Sequence, residues 1–140
     1  YPFSCSSSSS LGEGWSCEKI YDDEPSSWQD NGLECADATL EFTFSKDIYF
    51  QFLTYENIED SRSFKRNFKP RDILITSEEE GFSIEYELEN QNTSTQWIDL
   101  NTTTSVITIQ ILSAYPGEEV NGAEAFPECA IQEITFYGRG

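Results

Sequence analysis

From residue 39 onward the chain alternates apolar and polar side chains with a period of two. Leu40, Phe42 and Phe44 alternate with Glu41 and Thr43, and Ile48, Phe50 and Phe52 resume the pattern after Ser45-Lys46-Asp47. Successive strand residues face opposite sides of a sheet, so this spacing predicts half-buried strands, here a hairpin turning at residues 45–47. Residues 55–71 lack the pattern and are expected as a long polar loop. Asp72-Ile73-Leu74-Ile75-Thr76 predicts a short strand, and Phe82, Ile84, Tyr86 and Leu88 alternate again after the turn at Glu78-Glu79-Glu80-Gly81. Trp97-Ile98-Asp99-Leu100 predicts another strand. Val106-Ile107-Thr108-Ile109-Gln110-Ile111-Leu112 is the most β-branched run and is expected at the centre of a sheet. A last strand carries Ile134 and Phe136 on one face and Glu133 on the other. No segment has helical spacing. About eight short strands with turn-rich connections predict an all-β fold, an antiparallel β-sandwich or jelly roll.

The chain before residue 39 has no such period. Residues 1–16 are Ser-rich, with Gly12 and Gly14, and read as a loop tied down by a disulfide, Cys5 to Cys17 being the local pairing. The following stretch, Ile20-Tyr21-Asp22-Asp23-Glu24-Pro25-Ser26-Ser27-Trp28-Gln29-Asp30-Asn31-Gly32, is dense in oxygen ligands and turn formers. It is expected as irregular backbone. Residues 17–138 are expected to form one sandwich domain behind the N-terminal segment.

Composition narrows the class. A chain of 140 residues fits one domain and can bury a core, and 14% aromatic with 37% hydrophobic residues argue against disorder. A formal charge of −18 excludes nucleic acid and anionic membrane as partners. Cys5, Cys17, Cys35 and Cys129 are even in number, contain no Cys-x-x-Cys pair and have no histidine beside them, so two disulfides are expected rather than a zinc site. Asn92-Thr93-Ser94 and Asn101-Thr102-Thr103 satisfy the N-glycosylation pattern at Asn92 and Asn101. Together these point to a secreted or cell-surface chain. No signal peptide or membrane span is read, Met is absent, and Gly138-Arg139-Gly140 is compatible with a linker, so a processed chain or a piece of a longer one is expected.

The order of four motifs resembles the galactose-binding-like, discoidin-type β-sandwich. They are Tyr21-Asp22-Asp23-Glu24-Pro25-Ser26-Ser27-Trp28, then Arg66-Asn67-Phe68-Lys69-Pro70-Arg71-Asp72-Ile73-Leu74-Ile75, then Trp97-Ile98-Asp99-Leu100, and finally Cys129 to Gly138. The likeness is to the discoidin-like, glycan-binding modules of secreted proteins. It implies a jelly-roll sandwich and, in many such modules, a structural calcium ion between the acidic loop and the last strand. Carried onto this chain, the side-chain ligands would be Asp22 and Glu133, with the carbonyls of Lys19 and Glu24 and the hydroxyl of Ser26 or Ser27. Calcium accepts such an all-oxygen set. The same acidic residues also read as a solvated turn closed by its own side-chain hydrogen bonds. Four cysteines allow three pairings. Within the resemblance, Cys35 to Cys129 would brace the site, leaving Cys5 with Cys17.

Glycan binding needs aromatic surface and polar groups, because a pyranose offers an apolar face and a fan of hydroxyls. Tyr21, Trp28 and Tyr115, with Trp15, are placed in loops, and Glu118, Glu119 and Asn121 follow Tyr115-Pro116-Gly117 as polar candidates. Trp28 reads equally as a core residue. Five of the 8 Lys+Arg, namely Arg62, Lys65, Arg66, Lys69 and Arg71, fall in residues 62–71. That segment reads either as a contact surface for an acidic glycan or a second copy of the chain, or as internal neutralisation of nearby carboxylates. The His/Arg triad of some discoidin lectins cannot form without histidine. Catalysis is rejected, since no nucleophile motif or histidine accompanies the abundant carboxylates. The expectation is a non-catalytic extracellular carbohydrate-binding or adhesion module. The alternative is a structural or protein-interaction subunit of an extracellular glycoprotein assembly.

Overall fold

The computed structural model describes residues 4–22, 24, 26–91 and 95–139, so the Asn92 sequon and Asp23 and Pro25 of the acidic loop lie outside the described residues. The strands are β1 (Ser4–Ser7), β2 (Trp28–Gln29), β3 (Thr39–Glu56), β4 (Lys69–Pro70), β5 (Asp72–Ser77), β6 (Ser83–Glu87), β7 (Thr95–Ile111), β8 (Ala114–Tyr115), β9 (Ala130–Ile131) and β10 (Glu133–Arg139). Among the described residues one α-helix, α1 (Ser61–Arg66), lies between β3 and β4. Two 3-10 turns, Glu13–Trp15 and Cys17–Tyr21, join β1 to β2.

The main sheet runs β1-β3-β7-β5-β6, and β10 also pairs with β3. All of these pairings are antiparallel. β1 lies beside residues 40–43 of β3 and β10 beside residues 49–56, while β7 runs along the opposite edge of both halves. β7 is central, as its β-branched run predicts, and it includes both segments expected as separate strands.

The hairpin expected at residues 45–47 is instead a bulge within one long strand. The register with β7 jumps from Thr43↔Val106 to Ile48↔Thr104, so residues 44–47 oppose Ser105 alone. Extra residues on one strand bend the ribbon. The bend turns both halves of β3 toward one core, where the Phe42 and Phe136 rings stand 5.1 Å apart and those of Phe44 and Phe50 4.7 Å apart. Leu40, Ile75, Ile107, Ile109 and Ile134 complete that core between the layers.

Two more expectations change. Residues 55–71 are not a continuous loop, because β3 extends through Glu56 and α1 follows. Asp60 caps α1, its Oδ2 accepting the Ser63 N–H at 2.9 Å, and this bond lowers the Asp60 carboxyl pKa. The N-terminal segment is not only a tethered loop, since Ser4–Ser7 adds an edge strand to β3. Cys5 is bonded to Cys17 and Cys35 to Cys129.

Candidate functional site

Asp22 lies just after the 3-10 turn Cys17–Tyr21, which packs against β10 and β2. Its Oδ1 accepts the Glu24 N–H at 3.0 Å and its Oδ2 accepts the Ser26 hydroxyl at 2.5 Å, so Asp22, Glu24 and Ser26 form one closed turn. Ser27 faces elsewhere, its Oγ accepting from Gln29 Nε2 at 3.2 Å. The Lys19 N–H donates to the Ser16 carbonyl at 3.1 Å. Glu133 opens β10 opposite Glu56 and is only 6% exposed. Among the described residues, no three carboxylate, cysteine or histidine side chains converge as a metal cluster. The donor set fits calcium in kind, being all oxygen, with a buried carboxylate on β10 and an acidic turn that follows the 3-10 element packed against β10, and hydrogen-bonded carboxylate oxygens keep a second lone pair. Most ligands would then have to be carbonyls and hydroxyls.

The ligand candidates divide. Trp28 is fully buried and its Nε1 donates to the Ser9 carbonyl at 3.0 Å, so it belongs to the core and offers no face to a sugar. Tyr21 is half-buried against Phe42, with ring centroids 6.4 Å apart. Burial and the nearby Glu18 carboxylate raise its pKa. Tyr115 uses its hydroxyl on the Leu88 carbonyl at 2.7 Å, and burial followed by Glu87 pushes its pKa up. These three are tied to the framework.

Arg62 and Arg66 on α1, and Glu118 and Asn121 in segment 117–126, belong to two segments that are joined at Lys65 and Arg66. Segment 117–126 is tied to the C-terminal end of α1 by two backbone bonds, Glu118 N–H to the Lys65 carbonyl at 2.7 Å and Phe126 N–H to the Arg66 carbonyl at 2.8 Å. Arg66 locks the junction, its Nε donating to the Glu124 carbonyl at 3.0 Å and its guanidinium standing 3.7 Å from the Phe126 ring centroid. A Cβ on Gly117 would lie 2.2 Å from the Arg66 carbonyl oxygen, so only glycine permits this approach. Arg62 lies one turn before Arg66 on the same helix face. Arg62, Lys65, Glu118 and Asn121 are exposed. Asn121 sits at φ 49° in the turn closed by the Val120↔Ala123 bridge.

The basic segment is largely used within the molecule. Lys69 is 1% exposed, with Nζ on the Phe64 carbonyl at 2.6 Å and 4.3 Å from the Phe64 ring centroid, and desolvation lowers its pKa. Arg71 pairs with Glu87 at 3.3 Å. Arg62 and Lys65 therefore carry what exposed charge the segment has on α1.

Sequence reasoning missed Phe126, which has no motif around it, and read Gly117 only as part of Tyr115-Pro116-Gly117, without its close approach to Arg66. It also missed Asp30, a buried carboxylate whose Oδ1 accepts from Cys129 N–H at 2.8 Å and Leu33 N–H at 3.2 Å and whose Oδ2 accepts from Cys35 N–H at 3.0 Å. A separate cleft of about 390 Å³ is lined by Glu34, Asp37, Gln110 and Ser113, none of them a predicted ligand residue.

No family model matches the chain, and no curated protein sequence matches it. Solved structures do. The family 32 carbohydrate-binding module of Clostridium perfringens NanJ, solved with galactose, has 14% identity and a TM-score of 0.71 over 96% of this chain and 93% of that one. A second family 32 module from a family 31 glycoside hydrolase, bound to GalNAc, has 17% identity and a TM-score of 0.67 over 96% and 95%. An F5/8 type C domain from Bacteroides fragilis has 13% identity and a TM-score of 0.64 over 97% and 91%. The chain therefore has the galactose-binding-like, discoidin-type β-sandwich fold.

Proposed function

We propose that this chain is a non-catalytic carbohydrate-binding module that works outside the cell, docking a neutral, galactose-type sugar of an extracellular glycan or glycoprotein on the α1 and 117–126 surface. The junction of these two segments carries the reading. Arg66 and Gly117 hold the backbone fixed, so Arg62, Glu118 and Asn121 present a guanidinium, a carboxylate and an amide from a rigid support. Such groups bond sugar hydroxyls as donors, acceptors or both. The likeness to modules solved with galactose and GalNAc supports the ligand class. The net charge of −18 favours neutral over acidic sugars. Two disulfides support the extracellular setting.

Titration calorimetry with galactose and N-acetylgalactosamine tests the site. Binding is expected, with Asn121→Ala and Arg62→Ala each weakening it by about tenfold, the worth of roughly one hydrogen bond to a charged or amide group. Absence of binding to either sugar and an empty glycan array would overturn the proposal. A calcium ion held by Asp22, Ser26 and Glu133, with the Lys19 and Glu24 carbonyls, would staple the acidic turn to β10. EDTA is then expected to lower the Tm and added calcium to restore it, and an unchanged Tm would remove the ion from the account.

A further inference from the structure

The outer face of the layer formed by β10, β3 and β7 carries an aromatic row that serves neither the core nor the loop surface. Trp97 is 62% exposed and Tyr137 43% exposed. Phe52 stands between them, its ring centroid 5.0 Å from Trp97 and 4.6 Å from Tyr137, the latter pair stacked at 17°. Large exposed apolar groups in contiguous patches mark contact surfaces. Burial alternates strictly along the first ten residues of β7, so Trp97, Asp99, Asn101 and Thr103 all face outward on the side of this row.

Asn101 heads the Asn101-Thr102-Thr103 sequon on that same face. It lies in a second bulge, where the register with β3 jumps from Phe50↔Thr102 to Phe52↔Asp99, and its φ is 53°. Its Oδ1 accepts the Tyr49 hydroxyl at 2.9 Å. That bond orients the amide, holding Oδ1 toward Tyr49 and Nδ2, the atom that carries an N-linked sugar, on the other side.

We propose that Asn101 carries an N-linked glycan whose first sugars cover the Phe52, Tyr137 and Trp97 row. Asp99, the register partner of Phe52, is two residues from Asn101, at most about 7 Å along the bulged strand, and Trp97 is at most about 13 Å away. The row thus begins within the first sugar of the attachment point. Pyranose C–H faces pack on aromatic carbon, and outward Asp99 and Thr135 flank the row with acceptors for hydroxyls. Tethering supplies a high local sugar concentration, so even a weak contact is populated. A second copy of the chain is a poorer occupant, because each copy brings a charge of −18, whereas a neutral glycan meets no such repulsion. The transfer takes an oligosaccharide from a lipid-linked pyrophosphate donor. Asn101 Nδ2 forms the bond to the anomeric carbon and loses a proton, and the bond from that carbon to the phosphate oxygen breaks, releasing the lipid pyrophosphate.

The inference rests on passage through a eukaryotic secretory pathway and not on sugar binding at the loop surface, so the two fail separately. The chain is secreted from such a host and compared with its Thr103→Ala variant, which deletes the sequon but leaves Asn101 and Tyr49 in place. Release of glycans by an amidase in heavy-oxygen water is expected to convert Asn101 to labelled Asp. In a Trp15→Phe background, where Trp28 is buried, acrylamide is expected to quench the glycosylated form about twofold more weakly than Thr103→Ala, because the sugars shield the Trp97 ring. An unmodified Asn101, or equal quenching of the two forms, would overturn the proposal.

Discussion

Replacing Asp30 by Asn removes one oxygen and one charge from the centre of the molecule. Asp30 is 1% exposed and its carboxylate accepts three backbone N–H groups, from Leu33, Cys35 and Cys129. It also holds a strained loop, since Glu34, Cys35 and Asp37 sit at φ 55°, 68° and 53°, each costing roughly 1 kcal/mol for a non-glycine residue. An Asn can keep its carbonyl oxygen on Leu33 and Cys129, but its amide then faces the Cys35 N–H, donor against donor. The lost charge-assisted bond is worth about 2 kcal/mol and the orphaned N–H costs about 2 more. The two surviving bonds weaken by about 1 kcal/mol each as their acceptor becomes neutral. Against this, about 3 kcal/mol returns because no charge is buried. The net loss is about 3 kcal/mol, or about 10 °C in Tm for a domain of this size. The assay is thermal and urea unfolding followed by circular dichroism, under oxidising conditions, with Asp99→Asn as a control that changes net charge equally at an exposed position. An Asp30→Asn midpoint within about 1 kcal/mol of that control would refute the reasoning.

Other perturbations test neighbouring parts of the same frame. Burial, and secondly the Asp30 carboxylate, raise the Glu128 pKa above its ordinary 4.5, so the folded state holds that proton more tightly than the unfolded chain. Stability from this group is present below pH 4.5 and is lost as pH rises through the folded value, so Glu128→Gln should match wild type at pH 3 and exceed it at pH 7. A Tm difference that does not change with pH would contradict this. Removing the Cys35–Cys129 bond, with its separation of 94, should cost about 4.7 kcal/mol, against about 2.8 kcal/mol for Cys5–Cys17, with its separation of 12. Paired Cys→Ala variants compared by urea unfolding check the order, and the reverse order would break the chain-entropy argument. Gly117→Ala would set a Cβ against the Arg66 backbone and push segment 117–126 off α1. Calorimetry should then show sugar affinity falling at least as far as in Asn121→Ala, and unchanged affinity would detach that segment from the proposed site.

Much of the sheet was legible because a period of two is a local property. It predicted β5, β6, β10 and the central place of β7 from adjacent residues alone. The bulge at residues 44–47 was not legible, because a turn and a bulge both interrupt the alternation over a few residues. What separates them is that both halves of β3 pair with one partner, β7, and that is a long-range fact. Helix α1 escaped for a different reason: six residues hold fewer than two turns, too few for a helical apolar stripe to declare itself.

The site shows the same boundary between near and far. Asp22, Glu24 and Ser26 close a turn within five residues, which local chemistry foresees. Arg62, Arg66, Glu118 and Asn121 were picked out as residue types, but the junction of the two segments that carry them depends on Gly117 reaching the Arg66 carbonyl across the fold, and nothing around Gly117 distinguishes it from a glycine in an ordinary turn. Asp30 is the clearest case. Beside Asn31-Gly32 it looks like a turn former, and toward Leu33 and Cys35 it is one. Its bond to the Cys129 N–H spans 99 residues and joins the acidic-loop end of the chain to the β9 and β10 end, beside the Cys35–Cys129 disulfide. The covalent and the electrostatic link act between the same two segments, so each restrains the geometry the other needs. A residue's local pattern can announce a turn, but only its distant partner makes that turn a clasp.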